Sequence, residues 1–327
     1  MLKILVRFPN WLGDLIMSIG FYNKLIEIFN NPKIYAISKT GISEILNLFG
    51  NFERIYEFSK EKYSKIIGIY KFSNEISNSY DIYFSLPDSF SSAFMGFFSN
   101  SKKRIGYMNE FREIFLTNAY KKPKNLHRVE EYCYLLKDFT KNPIENIKVQ
   151  LNIEPENYIR NLNSKYKIVV NINSEAQSRR MSIPKWTKII EMLLNELDCH
   201  VILTGSKKDI NRVNWLFESL EKRDRVINLA GKTNLIELSR IIKASDIMLS
   251  SDSGPAHLSN ALLVKTIVLF GAGDEKNTSP YNKDYLKVIR LNMSCSPCLK
   301  NYCKFRVPLC LEDLDENLIV KNLIKWL

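Results

Sequence analysis

Several familiar signatures are missing from these 327 residues. No G-x-G-x-x-G turn follows the first apolar strand, and the G-x-x-x-x-G-K-[ST] phosphate loop is absent. Those absences exclude a nicotinamide dehydrogenase and a P-loop ATPase. No apolar run reaches the length of a membrane span. The opening Met1-Leu2-Lys3-Ile4-Leu5-Val6-Arg7 is interrupted by Arg7, Pro9 and Asp14 before a signal-peptide core forms, and no small-residue cleavage site follows. The expectation is a cytoplasmic chain. Nothing in the composition suggests a disordered, collagenous or fibrous protein.

What is present suits about two ordinary domains, since 45% of the residues are hydrophobic and 25% charged, enough for a core in each half. Lys and Arg outnumber Asp and Glu by 47 to 35, a formal charge of +12. A field of that sign attracts phosphates, acidic sugars or anionic membranes without choosing among them. Nucleic acid is not expected as a partner. The basic residues are spread along the chain, and no nucleic-acid motif accompanies them.

Short apolar strands alternate with helical periodicity, the pattern of βαβ units and parallel sheets. In the first half Leu2–Phe8, Lys33–Ser38 and Tyr80–Leu86 read as strands, and 15–29 as one helix. A polar stretch, 152–165, reads as a linker. Beyond it strands are expected at 167–172, 199–203, 225–229, 246–250, 265–270 and 286–291. The fold class is therefore α/β, with two Rossmann-like doubly wound domains, 1–155 and 156–327, facing a cleft. The last helix, 314–327, is expected to pack back on the first domain.

In such sheets ligands bind beyond the carboxyl ends of strands, so the loops there carry the chemistry. The first is Asn10-Trp11-Leu12-Gly13-Asp14, where Gly13 permits close backbone approach and Asp14, by position alone, reads as a helix cap. The second holds Ser174, Arg179 and Arg180, hydroxyl and guanidinium groups suited to phosphate. The third is Asp252-Ser253-Gly254-Pro255-Ala256-His257, small residues opening a helix whose free N–H groups suit an anion. His257 is one of three histidines. Gly271-Ala272-Gly273-Asp274 ends another strand.

Near the carboxyl terminus Cys295, Cys298, Cys303 and Cys310 form C-x2-C-x4-C-x6-C. Four thiolates could close a structural zinc site, but no second C-x-x-C follows, so packed reduced thiols are the competing expectation.

These segments in this order resemble glycosyltransferase family 9, the ADP-heptose:lipopolysaccharide heptosyltransferases. The resemblance rests on Ile4 to Asp14, Leu86-Pro87-Asp88-Ser89-Phe90, Arg104-Ile105-Gly106-Tyr107 and the stretch from His127. It continues through Leu229-Ala230-Gly231-Lys232-Thr233, Ser251 to Leu258 and Val268-Leu269-Phe270-Gly271. The first two stretches look most like the heptosyltransferase II branch. The resemblance implies a GT-B fold, an acceptor-binding first domain and a donor-binding second. It implies inverting transfer from ADP-heptose to an acidic glycolipid, heptosyl-Kdo2-lipid A, with no cofactor or essential metal. Peripheral contact with the inner face of the inner membrane fits that acceptor. Asp14 becomes the general base, which reverses the reading as a cap. Ser174, Arg179 or Arg180, Asp252, Ser253, Gly254 and His257 would hold the donor, and Glu237 its ribose. Where the family has one basic residue followed by Trp-Pro, this chain has Arg179-Arg180-Met181-Ser182-Ile183-Pro184, which leaves the two arginines as alternatives. Another nucleotide-sugar or acceptor on the same fold, or a binding protein without transfer, are the other expectations. Asp14 beside an intact donor loop speaks against the last.

Overall fold

Each half of the chain builds its own six-stranded sheet in this computed structural model, which describes residues 1–327. The first sheet contains β1 (Lys3–Arg7), β2 (Lys33–Lys39), β3 (Arg54–Phe58), β4 (Tyr80–Ser85), β5 (Ser101–Tyr107) and β6 (Asn118–Tyr120). Its order is β3-β2-β1-β4-β5-β6 and every pair is parallel. The second contains β7 (Tyr166–Asn171), β8 (Cys199–Leu203), β9 (Val226–Asn228), β10 (Ile247–Ser251), β11 (Lys265–Phe270) and β12 (Leu286–Arg290). Its order, β12-β11-β10-β7-β8-β9, repeats the first arrangement, again with all pairs parallel. Parallel strands need crossovers that cover both faces, so the central strands read as near-continuous apolar runs. Thus Ile168, Val169 and Val170 of β7 and Ile247, Met248 and Leu249 of β10 are all fully buried.

The two compact units are Met1–Val149 and Gln150–Leu327. The boundary falls earlier than the polar stretch suggested because Gln150–Glu156 is tied to the second unit. Leu151 is buried and its N–H bonds the Ala261 carbonyl at 2.8 Å, while the Glu156 N–H reaches the Arg240 carbonyl at 3.0 Å. The helix expected over 15–29 is two helices, Leu12–Met17 and Ile19–Phe29, broken at Ser18, whose hydroxyl bonds the Leu15 carbonyl. The last helix, Glu316–Trp326, buries Ile319, Val320 and Leu323 in the core of the second unit, alongside Trp186, Ile190 and Leu193 of helix Ile183–Glu196. That packing within its own unit takes the apolar face that had been expected to turn to the first domain. No helix is long and apolar enough to cross a membrane.

Strand order places the ligand-binding crevice of each unit. Chain direction across the sheet reverses between β1 and β4 in the first and between β7 and β10 in the second, and a doubly wound sheet opens at that switch point. The loops concerned are those after β1, β4, β7 and β10.

Candidate functional site

The loop after β1 is braced from inside. Arg7 ends the strand with its guanidinium buried, donating to the carbonyls of Phe8 and Ile37 and to Asn10 Oδ1. Burial lowers its pKa to about 10. Asn10 is thereby held in place, and Trp11, 57% exposed, carries the Lys39 ammonium 5.2 Å from its ring centroid. Trp11 occupies the N-cap position, Gly13 lies in the first turn, and no side chain caps the helix. Asp14 is in that turn but is not a cap. Its carboxylate accepts a hydrogen bond from Tyr132 and lies in the field of Arg128 and Lys122. Burial raises its pKa, while Arg128, Lys122 and the Tyr132 hydroxyl pull against that rise.

Around Asp14 the charges form a network. Lys122 bridges Asp88 at 3.2 Å and Glu131 at 3.4 Å, and Arg128 Nε meets the same Glu131 oxygen at 3.1 Å. Lys122 holds the Asp88 carboxyl below its ordinary range despite partial burial. Helix Arg128–Thr140 delivers Arg128, Glu131 and Tyr132 on one face. His127 caps it, with Nδ1 accepting from the Val129 N–H and Glu130 returning a bond to the His127 N–H. His127 is thus a positioning device for that helix.

In the second unit the loops after β7 and β10 are knitted together. Asn171, at the end of β7, donates to Ser253 Oγ at 2.8 Å and to the Asn173 carbonyl at 3.0 Å. The Ser174 hydroxyl donates to the Asp252 carbonyl at 2.9 Å. Ser253 is the N-cap residue of helix Gly254–Ala261, but its hydroxyl faces Asn171 and the Ser251 carbonyl, so no side chain caps the first turn. Gly254 opens that helix and His257 is buried in it. Asp252, 3% exposed, pairs with Arg179 at 3.0 Å. Burial nevertheless pushes its carboxyl up to about 6, against the pull of Arg179. Gly273 closes the back of this pair, since a Cβ there would stand 2.3 Å from Asp252 Oδ2. Arg180 spends only its Nε, on the Ser174 carbonyl. An uncapped helix start, clustered hydroxyls and two guanidinium groups together make an anion-binding corner.

The other expected residues lie elsewhere. Glu237 is exposed and serves in a capping box, accepting from the Asn234 N–H at 2.9 Å while Asn234 accepts from its own N–H. Cys295, Cys298, Cys303 and Cys310 line one small cavity with Met293 and Phe305. Burial and the three neighbouring thiols push Cys310 up to about 11. No three His, Cys, Asp or Glu side chains are gathered as a metal-ligand set. The four thiols line one wall of that cavity. Their loop is stitched to the segment after β7 through Ser178, whose N–H and hydroxyl bond the carbonyls of Asn301 and Lys300.

A family model of glycosyltransferase family 9 (heptosyltransferase) matches residues 69–307. The chain belongs to that family. It is 25% identical over 333 residues to a lipooligosaccharide heptosyltransferase 2 of Campylobacter jejuni, covering 99% of each chain. The structure of E. coli ADP-heptose lps heptosyltransferase II superposes with a TM-score of 0.86 at 23% identity, over 99% of this chain and 98% of that one. E. coli heptosyltransferase WaaC with ADP gives 0.80 at 16% identity over the whole of both chains. The GT-B fold is thus shared, and this family 9 heptosyltransferase carries two switch-point clusters, one acidic-basic and one anion-binding. Sequence reasoning had missed Arg7, Lys122, Arg128, Tyr132 and Asn171. Arg7 and Asn171 left a trace, as polar residues ending buried strands. Arg128 and Tyr132 come to Asp14 only through the packing of helix Arg128–Thr140, and Lys122 through the loop that leads from β6 to that helix.

Proposed function

We propose that the protein transfers heptose from ADP-heptose to heptosyl-Kdo2-lipid A, the inner core of a lipopolysaccharide or lipooligosaccharide precursor, with inversion. The observation that carries the reading is Asp14, a carboxylate that caps no helix, at the switch point of the first sheet, with its pKa raised by burial and three donors or cations around it. The acceptor hydroxyl oxygen bonds the anomeric carbon, its proton passes to Asp14, and the bond from that carbon to the diphosphate breaks with its electron pair leaving on ADP. Lys122 and Arg128 give the first unit a basic grip suited to the acceptor's anionic groups. Ser174, Ser253, Gly254 and His257 line the donor corner. Arg180, with most of its donors uncommitted, meets the diphosphate, and Arg179 joins it while its pairing with Asp252 holds it in place. Glu237 would reach the ribose only by giving up its cap. The names of the relatives support the sugar and the acceptor class. The acceptor's lipid anchor brings the enzyme to the cytoplasmic face of the membrane as a peripheral protein. A structural zinc stays outside this reading.

The test is incubation with ADP-heptose and heptosyl-Kdo2-lipid A, followed by mass. Asp14→Asn should lose transfer by about a thousandfold or more while ADP affinity stays within about twofold. Turnover like that of the wild type in this variant removes Asp14 as the base.

A further inference from the structure

The first unit carries an apolar surface that its own core does not use. Helix Lys65–Glu75 turns Ile66 and Ile67 outward, 58% and 71% exposed. The 3-10 turn Arg112–Phe115 and the residue before it present Phe111 and Ile114 at 84% and 72%. Helix Phe90–Phe98 joins these elements. The Tyr70 ring meets Phe98 at 4.8 Å, and Phe97 meets Phe115 at 5.6 Å. The result is a continuous aromatic and aliphatic band, which a soluble monomer rarely shows without a use.

We propose that this band lies on an anionic membrane surface. Exposed Lys62, Lys65 and Lys71 interleave with Ile66, Ile67 and Tyr70, and the Arg104 guanidinium stands 5.3 Å from the Phe97 ring centroid. In an interfacial segment the rings and branched chains enter the headgroup boundary, and the lysine stems carry charge out to lipid phosphates. Glu110 and Glu113 flank Phe111, so that turn docks by apolar contact and the helix side supplies the charge. An isologous contact with a second copy would set these lysines against one another. An anionic surface would not.

The band is mechanically joined to the catalytic carboxylate's surroundings. Fully buried Arg112 donates to the Pro87 carbonyl and to Ser85 Oγ, and Asn109 Nδ2 bonds the Asp88 carbonyl at 2.9 Å. Asp88 in turn bridges Lys122 beside Asp14. A membrane under Phe111 therefore meets the same loop that flanks the base. This inference rests on the reading of the acceptor as a lipid-anchored sugar.

The experiment is cosedimentation of the full chain with vesicles of phosphatidylglycerol and phosphatidylethanolamine, and with neutral phosphatidylcholine vesicles, all without acceptor. Wild type should bind the anionic vesicles, and more weakly as salt rises. Phe111→Ser with Ile114→Ser, and separately Ile66→Ser with Ile67→Ser, should each lower partitioning about tenfold. Lys62→Glu with Lys65→Glu and Lys71→Glu should remove the preference for anionic lipid. These side chains are exposed, so circular dichroism should be unchanged. Turnover on a deacylated, water-soluble acceptor should hold in every variant and fall only on acceptor embedded in vesicles. Equal vesicle binding by all forms overturns the proposal, as does a change of oligomeric state with vesicle binding intact. If wild type transfers heptose to neither acceptor, the proposed function fails, and the vesicle arm still judges the surface on its own.

Discussion

Replacing Asp252 by Asn tests whether the corner between the loops after β7 and β10 is held in a strained charge state. The side chain is 3% exposed, and its carboxyl titrates near 6 because burial outweighs the pull of Arg179. A rise of roughly two decades in proton affinity corresponds to about 3 kcal/mol. The sign follows from linkage. The folded protein holds this proton more tightly than the unfolded chain, so the stabilisation is complete below the unfolded value and is lost as pH rises through about 6. At neutral pH the ionised group thus costs about 3 kcal/mol, and ~2 kcal/mol of that appears between about pH 4.5 and about pH 7.5. Asn has nearly the shape of the protonated acid and does not titrate. The Asp252→Asn variant should therefore gain on wild type across that interval, by about 4–8 °C in the melting temperature of the second unit. Thermal melts of both proteins at a series of pH values provide the assay. A difference between them that stays constant with pH would refute the argument, because the buried charge would then cost nothing. The gain in stability should come with weaker ADP binding, since the ionised group orients Arg179.

Tyr132→Phe removes a hydrogen bond that favours the ionised form of Asp14, so the acid limb of kcat should move to higher pH while the alkaline limb stays; an unmoved limb would mean that the hydroxyl does not serve the base. Gly273→Ala would place a Cβ 2.3 Å from Asp252 Oδ2 and 2.9 Å from the Phe270 ring, and should cost about 1–3 kcal/mol and weaken ADP binding by parting Asp252 from Arg179. Calorimetry and ADP titration read both effects, and unchanged values in both would show that the loop absorbs the methyl group.

Half of the first sheet escaped sequence reading for a physical reason. β3 and β6 are edge strands, paired on one side only, and their residues are largely exposed or half-buried. β5 begins Ser101-Lys102-Lys103, polar where an apolar run would have marked it. The central strands of the second sheet were legible because they are apolar on both faces, and a strand buried on both faces announces itself without any partner. The loops after β1, β7 and β10 were found for the same reason, as the residues at which such runs stop.

Local pattern, then, determined which strands would be buried and which loops would lie at their carboxyl ends, because periodicity and turn chemistry are properties of neighbours in the chain. It could not decide what the polar residues in those loops do. Asp14 looks like a helix cap until Tyr132, Arg128 and Lys122 arrive from far along the chain to occupy its carboxylate. Arg179 and Arg180 look equivalent until Asp252 claims one of them across the switch point. The four cysteines have the spacing of a metal knuckle, and only the tertiary packing shows that all four line one small cavity. Ionic pairing and pKa depend on distance and burial in three dimensions, so only the folded chain settles them.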